Sequence, residues 1–156
     1  MRHPHRELKD GVTVEALLKR SLVGRLATVN RDGFPVIKPV NFLFWDGKIY
    51  LHSSQKGEKV ADIRRGSRVC FEVDEPVAYA VAAGKACSAS YYYRSIVIKG
   101  RAGLVRHQCK KRGLLERMME KYQPEGGYGA LSERVLRKTA VIEISVHRMT
   151  AKENLG

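Results

Sequence analysis

The chain has 156 residues and no apolar run that approaches the ~20 residues a membrane-spanning helix needs. Its first ten residues are charged and contain no apolar stretch of the signal-peptide type. The sequence also lacks internal repeats and any linker long enough to divide it. We therefore expect a single domain over residues 1–156, located in the cytoplasm.

Cysteine is scarce. The three cysteines, Cys70, Cys87 and Cys109, lie far apart and form no Cys-x-x-Cys pair. Their odd number and wide spacing argue against a disulfide framework, so we expect reduced thiols in a reducing compartment. His3 and His5 could chelate a metal ion weakly, but no residue nearby completes a tetrahedral set. We therefore predict no metal site.

Acidic residues are few, with 16 Asp and Glu against 29 Lys and Arg, which gives a formal net charge of +13. Such an excess attracts anions and can bind nucleic acid without specificity. The basic residues are spread along the chain, and no zinc finger or recognition-helix pattern is present. Tyr91, Tyr92 and Tyr93 beside Arg94 could stack on single-stranded bases. We predict no specific nucleic-acid partner.

Common catalytic motifs are also missing. The sequence contains no G-x-G-x-x-G fingerprint, so a nicotinamide-binding domain is not built into the chain. It shows no Ser-His-Asp set and no paired-carboxylate site. Catalytic side chains therefore remain unassigned, and any redox chemistry would come from a cofactor.

The hydrophobic pattern predicts strands joined by tight turns, with short helices between them. Asp32-Gly33 and Asp46-Gly47 are hairpin turn signals. Thr13 is the predicted N-cap of the first helix, and residues 74–90 are predicted to be mainly loop. Tightly linked strands favour antiparallel pairing, so we predict a mainly β fold, a six-stranded antiparallel barrel with flanking helices. The predicted helices are 14–20, 58–65 and 108–122, and the predicted strands are 25–30, 35–44, 48–52, 68–73, 95–105 and 140–147.

The most informative segment follows the Asp46-Gly47 turn, where a strand runs into a polar loop that opens a helix. The loop contributes Ser53, Ser54, Gly57 and Lys59 near amides that a helix start leaves unpaired. Free amides, hydroxyl groups and an ammonium group together suit a phosphate. In the simpler alternatives, the serines only cap the helix and the lysines only solvate it.

Four segments in this order resemble the flavin-binding split-barrel family that includes pyridoxamine 5′-phosphate oxidase: 24–33, 35–44, 49–59 and 69–73. Residues 93–102 and 149–152 are similar to the branch of that family related to nitroimidazole-resistance proteins, and the first eight residues fit its start loosely. The resemblance covers nearly the whole chain. It implies a homodimer with one FMN at each end of the subunit interface.

The resemblance also implies the residues that hold FMN. Lys59 would pair with the phosphate, and the flavin ring would lie along one strand. On electrostatic grounds, and not from the resemblance, we expect Lys38 near the N1 and carbonyl edge of the ring, where a positive charge stabilises reduced anionic flavin. Arg94 would come from the partner chain or the rim of the site. The remaining implied contacts are the backbone of Val40, Asn41 and Phe42 at the ring edge, His52 beside the ring, Ser53, Ser54 and the Gly57 amide at the phosphate or ribityl chain, and Ser95 on a later strand.

The sequence departs from the oxidase in two places. Glu58 stands where the oxidase has an arginine before its phosphate lysine, and we expect it to pair with Lys56 or Arg65. The oxidase's substrate-binding C-terminal tail, which carries an arginine and a histidine, is missing. His147-Arg148 is the most similar pair of residues in this chain. We therefore do not expect pyridoxamine phosphate oxidase activity.

The function we expect is that of an FMN-dependent oxidoreductase. It would pass electrons from a reduced nicotinamide or another carrier to a small acceptor, as a nitroimidazole reductase does. The alternative is a non-catalytic haem- or flavin-binding protein of the same fold, in which His52 or His107 ligates iron. A deazaflavin in place of FMN also stays open, and the sequence does not name the substrate.

Overall fold

A computed structural model gives the structure of the protein and describes residues 4–82, 84 and 89–156. The sequence-based expectations for Met1, His3 and Cys87, and for the middle of the predicted 74–90 loop, lie outside these residues.

The chain forms six strands and four α-helices, preceded by a short 3-10 turn at Pro4–Arg6. The helices are α1 (Gly11–Arg20), α2 (Glu58–Arg65), α3 (Gln108–Tyr122) and α4 (Glu133–Lys138). The strands are β1 (Val23–Val29), β2 (Pro35–Trp45), β3 (Lys48–Ser54), β4 (Arg68–Ala80), β5 (Ser90–Leu104) and β6 (Thr139–Asn154).

The strands close into a barrel in the order β1-β2-β3-β6-β5-β4, with β4 pairing back onto β1. Every pairing is antiparallel. This architecture confirms the predicted six-stranded antiparallel barrel with flanking helices. No helix among residues 4–82, 84 and 89–156 is long and apolar enough to cross a membrane.

Strand β2 changes partner halfway along its length. From Pro35 to Asn41 it pairs with β1, and from Phe42 to Trp45 it pairs with β3. Pro35 begins the strand, and Pro39 lies in the half that has no β3 neighbour. Because proline has no N–H to donate, both fit positions where the ladder is incomplete. The partner change splits the barrel wall between β1 and β3.

The turn from β2 to β3 fixes the register of the strand that leads to the predicted phosphate corner. Asp46 and Gly47 both have positive φ angles, 50° and 68°. This is the two-residue turn geometry that matches the twist of hairpin strands. It aligns Trp45 with Lys48 and Phe42 with Leu51.

Two apolar clusters hold the fold together. The larger fills the barrel and includes Phe42 and Phe71, which are fully buried and meet edge to face at 4.9 Å between ring centroids. The smaller lies outside the barrel wall, where α3 and α4 place Leu114 and Leu136 against Leu43 of β2. The core therefore anchors α3 and α4 to the outer face of β2, β3 and β6.

Several predicted boundaries were wrong. Helix α1 begins at Gly11, because the side chain of Asp10, not of Thr13, accepts the first-turn amides. Strand β4 continues to Ala80 through a segment predicted as loop, because β5 pairs with it along that length. Helix α4 and the extension of β6 to Asn154 were not predicted.

Candidate functional site

The start of α2 leaves backbone donors open at one end of the barrel. Gly57 is its N-cap residue, and no side chain of the described residues caps the helix. The amides of Val60 and Ala61 donate to the Gly57 carbonyl at 3.0 and 3.2 Å. The amides of Glu58 and Lys59 come before them in the first turn, where a helix offers no acceptor. Two donors and the positive end of the helix dipole therefore face outward.

Ser53 and Ser54 lie at the end of β3 and do not cap the helix, so the capping alternative is wrong. The Ser54 carbonyl accepts the Gly57 amide at 3.1 Å. A Cβ on Gly57 would lie 3.1 Å from Ser53 Oγ and 3.2 Å from the Ser54 oxygen, so a larger residue would push these neighbours aside by a few tenths of an ångström. Because its amide is used within the loop, Gly57 is not the free donor that the resemblance implied.

Glu58 forms an ion pair with Lys38 of β2 rather than with Lys56 or Arg65, which corrects the prediction. The Lys38 side chain is 24% exposed and that of Glu58 is 57% exposed. Lys38 stands opposite Leu26, a core residue, so the two side chains lie on the same face of the sheet. The pair places a carboxylate beside the open amides and engages the cation predicted to face the flavin ring.

Arg65 does not pair with Glu58 because its guanidinium group binds the buried carboxylate of Asp62. It contacts Asp62 at 2.6 Å, and Asp62 is 3% exposed. Thr28 of β1 donates to the other oxygen of Asp62 at 2.9 Å. This network ties α2 to β1.

Lys59 is half-buried at the same helix start. Within the part of the chain that the structure describes, neither Lys59 nor Lys56 forms a hydrogen bond or an ion pair through its ammonium group. The corner thus combines two open amides, the Ser53 hydroxyl and the Lys59 ammonium with the carboxylate of Glu58. This chemistry suits a phosphate once Glu58 is held aside.

The predicted ring contacts on β2 differ in how accessible they are. Val40 is buried and pairs with Gly24, whereas the Asn41 side chain is exposed. Both backbone groups of Phe42 are already bonded within the chain. Its amide donates to the hydroxyl of Tyr122 at 2.7 Å, and its carbonyl accepts from Lys121 Nζ at 3.0 Å. Phe42 therefore offers the flavin no free backbone group in this arrangement.

Lys121 and Tyr122 were not recognised from the sequence as part of this region. Lys121 Nζ also donates to the Ser21 carbonyl at 2.7 Å and lies 4.1 Å from the centroid of the Phe42 ring. Burial lowers the pKa of Lys121 to about 8. In the sequence, Tyr122 only ends a row of apolar residues at helical spacing, Leu114, Leu115, Met118 and Met119, and such a row is typical of core packing.

His52 lies near the end of β3 with an exposed side chain and pairs with Val141 of β6. Ser95 and Arg94 lie on β5, and no interaction within the described part of the chain joins either of them to the α2 corner. Arg94 binds Glu75 at 3.4 Å and Glu153 at 3.3 Å. One chain therefore gathers Lys38, Ser53, Ser54, Gly57 and Lys59, but not Arg94 or Ser95.

Comparison with known families and structures gives a consistent picture. A family model described as pyridoxamine 5′-phosphate oxidase matches residues 10–153. A search of the curated proteins found no match. A candidate 5-nitroimidazole antibiotic resistance protein from Bacteroides thetaiotaomicron is similar in structure, with a TM-score of 0.79 and 22% identity, over 94% of this chain and 86% of that one.

Two larger proteins share the fold with higher TM-scores. A flavocytochrome from Azotobacter vinelandii has a TM-score of 0.89 and 21% identity, over 100% of this chain and 72% of that one. An FAD- and haem-binding protein from Mycobacterium smegmatis has a TM-score of 0.86 and 20% identity, over 97% of this chain and 74% of that one. At these identities the comparisons show a common fold.

Proposed function

Because the chain belongs to the pyridoxamine 5′-phosphate oxidase family, whose model matches residues 10–153, we propose that it is a flavoprotein that binds FMN at the α2 corner. In this proposal it acts as an oxidoreductase that passes electrons from a reduced nicotinamide or another carrier to a small acceptor. The flavin supplies the redox chemistry when it is bound. The side chains of the protein hold and orient it.

One observation carries the proposal. The open amides of Glu58 and Lys59 face the same corner as Ser53 Oγ, and Gly57 is packed so closely on Ser53 that a methyl group would crowd it. Lys59 brings an unpaired cation to this place. Donors fixed in position before binding, with a cation beside them, are what a phosphate group requires.

The Lys38–Glu58 ion pair defines what the chain itself must do on binding. A phosphate at the α2 start is repelled by the Glu58 carboxylate and attracted by both lysines. We expect Glu58 to swing outward, which its exposed position permits. Lys38 would then be free to place its charge near the carbonyl edge of the ring, where it favours the reduced anionic form.

The proposed assembly is a homodimer with the flavin at the subunit interface. Exposed apolar side chains support it, because Phe34, Ile37 and Val29 are 68%, 67% and 55% exposed in the single chain. Val29 pairs with Pro35 and Ala27 with Ile37 on adjacent strands, so these residues form one patch. Arg94 and Ser95, which no interaction in the described chain joins to the α2 corner, would reach the flavin of the partner.

The test is the cofactor itself. Native protein would be purified without added flavin, its spectrum recorded, and the small molecule released by acid identified by mass spectrometry. We expect broad flavin absorption near ~450 nm and release of FMN. Release of FAD would show that the protein binds a flavin but that the cofactor is FAD instead of FMN. Protein that carries no flavin and binds none when titrated would contradict the proposal.

A second candidate is a haem-binding protein of the same fold. Its basis is the exposure of two histidines, His52 on β3 and His107 at the N-cap of α3. A neutral imidazole is a common iron ligand. The same spectrum decides between the candidates, because haem gives an intense Soret band that flavin lacks. A Soret band lost in His52→Ala or His107→Ala would establish this alternative.

A further inference from the structure

A cavity of about 700 Å³ lies between the second half of α2 and Gln55, a residue of the loop before α2, so it adjoins the proposed flavin corner. It opens between α2, the end of β5, the start of α3 and the start of β6. Three cationic side chains line it, those of Arg64, Arg106 and Lys111, and none of the described residues that line it is Asp or Glu. Gln55 and Gln108 add amide groups. The lining therefore carries a formal charge of +3 without a counter-charge.

Lys111 is the most informative member of this lining. It is 4% exposed, and its ammonium donates to the carbonyl of Leu136. An ammonium group has three N–H donors, and a charged group this deeply buried normally faces an opposite charge. Burial lowers the pKa of Lys111, as expected for a desolvated cation without an ion-pair partner. An anion in the adjoining cavity would compensate this charge.

Arg64 and Arg106 stand at the rim and are exposed. Neither guanidinium group has a hydrogen bond or an ion pair within residues 4–82, 84 and 89–156. Their neighbour Lys110 behaves differently, since it contacts Glu143 at 2.6 Å. Glu143 therefore neutralises Lys110 and not the three cations that line the cavity.

The start of α3 points to the same kind of ligand. Its N-cap, His107, makes no side-chain cap hydrogen bond to the described residues, and the first turn contains no acidic residue. The positive end of a helix dipole normally carries an acidic side chain or an anion. Here Lys110 and Lys111 occupy that turn instead, which is unfavourable unless an anion is near.

From these observations we propose that the cavity binds an organic phosphate, at a site that adjoins the proposed flavin corner but is not lined by Ser53, Gly57 or Lys59. The phosphate lies among Arg64, Arg106 and Lys111, where guanidinium and ammonium groups donate charge-assisted hydrogen bonds. The organic part packs on the apolar portion of the lining, which includes Ile63, Val105 and Val141. A volume of about 700 Å³ matches cavities that hold a nucleotide-sized ligand.

The test is calorimetric titration of the full chain with AMP, adenosine and inorganic phosphate at low ionic strength. We expect AMP to bind saturably and at least about tenfold more tightly than either fragment. The double variant Arg64→Gln/Arg106→Gln should weaken AMP binding at least about tenfold. The control Arg31→Gln/Arg148→Gln removes the same charge from exposed residues outside the cavity lining and should change the affinity less than about twofold.

Lys111→Met supplies an independent variant, because it removes the buried charge and leaves both rim arginines in place. Folding would be checked by circular dichroism, and AMP binding should again fall at least about tenfold. The proposal is overturned if AMP binds no better than adenosine, or if the control double variant loses as much affinity as the cavity variants. Displacement of AMP by FMN would also overturn it, because the site would then be the flavin site. Protein that binds AMP here but no flavin would refute only the proposed function.

Discussion

The hydroxyl of Tyr122 joins the end of α3 to Phe42 at the point where β2 changes partner. It accepts the Phe42 amide at 2.7 Å and donates to the Leu22 carbonyl at 2.6 Å. At this point the strand has left β1 and begins to pair with β3. One phenol therefore serves two backbone groups that the split in the barrel wall would otherwise leave without a partner.

We predict that Tyr122→Phe destabilises the protein by about 1–3 kcal/mol, because it leaves the Phe42 amide without an acceptor in a partly buried position. Urea unfolding followed by circular dichroism measures the change. Tyr128→Phe is the matched control, since Tyr128 is exposed and its hydroxyl has no hydrogen bond in the described chain. Equal stability of the two variants would show that the hydrogen bonds of the Tyr122 hydroxyl do not stabilise the protein.

Gly24 is the position where the barrel leaves no room for a side chain. It pairs with Val40 on β2, and a Cβ there would overlap the ring of Phe71, which is fully buried. We predict that Gly24→Ala lowers the free energy of unfolding by about 1–3 kcal/mol, because the aromatic core must shift.

Gly113→Ala is the control for that substitution. Gly113 lies inside α3, and an added Cβ would have no atom within 4 Å. Alanine in an open helix interior should stabilise the protein by about 1 kcal/mol. The midpoint temperature of thermal unfolding should thus fall in Gly24→Ala and rise in Gly113→Ala. An unchanged midpoint in Gly24→Ala would mean that the barrel interior is less tightly packed than the structure indicates.

The sequence predicted best where local signals are strong. The limits of α3 were correct because its apolar residues repeat at helical spacing, and α2 was correct because a glycine stands at each end. Strand β4 was underestimated because Pro76 and Ala78 are poor strand formers. Its continuation depends on β5, which supplies the hydrogen bonds from the other side.

The candidate site was predictable only in part, for a related reason. The corner at Ser53 and Gly57 comes from neighbouring residues, so the sequence could indicate it. The partner of Glu58 is Lys38, which lies twenty residues away on β2, while Lys56 stands closer in sequence. The bonds from Tyr122 to Phe42 span 80 residues. No local pattern distinguishes such pairs, because the barrel topology creates them.

Glu143 of β6 binds two lysines and should make stability depend on pH. Its carboxylate contacts Lys48 at 2.8 Å and Lys110 at 2.6 Å. Burial alone would raise the pKa of Glu143, but the hydrogen bonds from Lys110 and Lys48 outweigh it and lower the pKa to about 2. A lowered folded-state pKa means that the unfolded chain binds a proton more readily, so acid favours unfolding.

The resulting stability is present above the unfolded pKa of about 4.3 and is lost as the pH falls towards 2. After allowance for the partly exposed lysines, we expect about 1–2 kcal/mol. In Glu143→Gln, the free energy of unfolding should therefore fall less steeply between pH 5 and 2 than in the unmodified protein. Glu120→Gln, an exposed glutamate without a partner in the described chain, should leave the slope unchanged. Parallel profiles for all three proteins would contradict the role of Glu143.

Glu58 should weaken flavin binding under the proposed function. Its carboxylate lies at the α2 start and holds Lys38 in an ion pair. We predict that Glu58→Gln lowers the Kd for FMN about fivefold, because about 1 kcal/mol of charge repulsion disappears and Lys38 is released. Glu133→Gln is the control, since Glu133 is an exposed first-turn glutamate of α4 that pairs with Arg112. Weaker FMN binding in Glu58→Gln would mean that Glu58 holds the site together.

Lys59 gives the sharpest test of where the phosphate lies. It is half-buried at the α2 start, whereas Lys56, three residues earlier, is exposed. We predict that Lys59→Ala weakens FMN binding by about 1.5–3 kcal/mol, or about 10- to 150-fold, because a charge-assisted contact is lost. Lys56→Ala removes the same charge from the same loop and should cost about 1 kcal/mol or less. Quenching of FMN fluorescence on titration measures both constants. The two variants have the same net charge, so equal losses of FMN affinity would show that only general electrostatic attraction was removed. Unchanged FMN affinity in both variants would mean that the phosphate binds elsewhere on the protein.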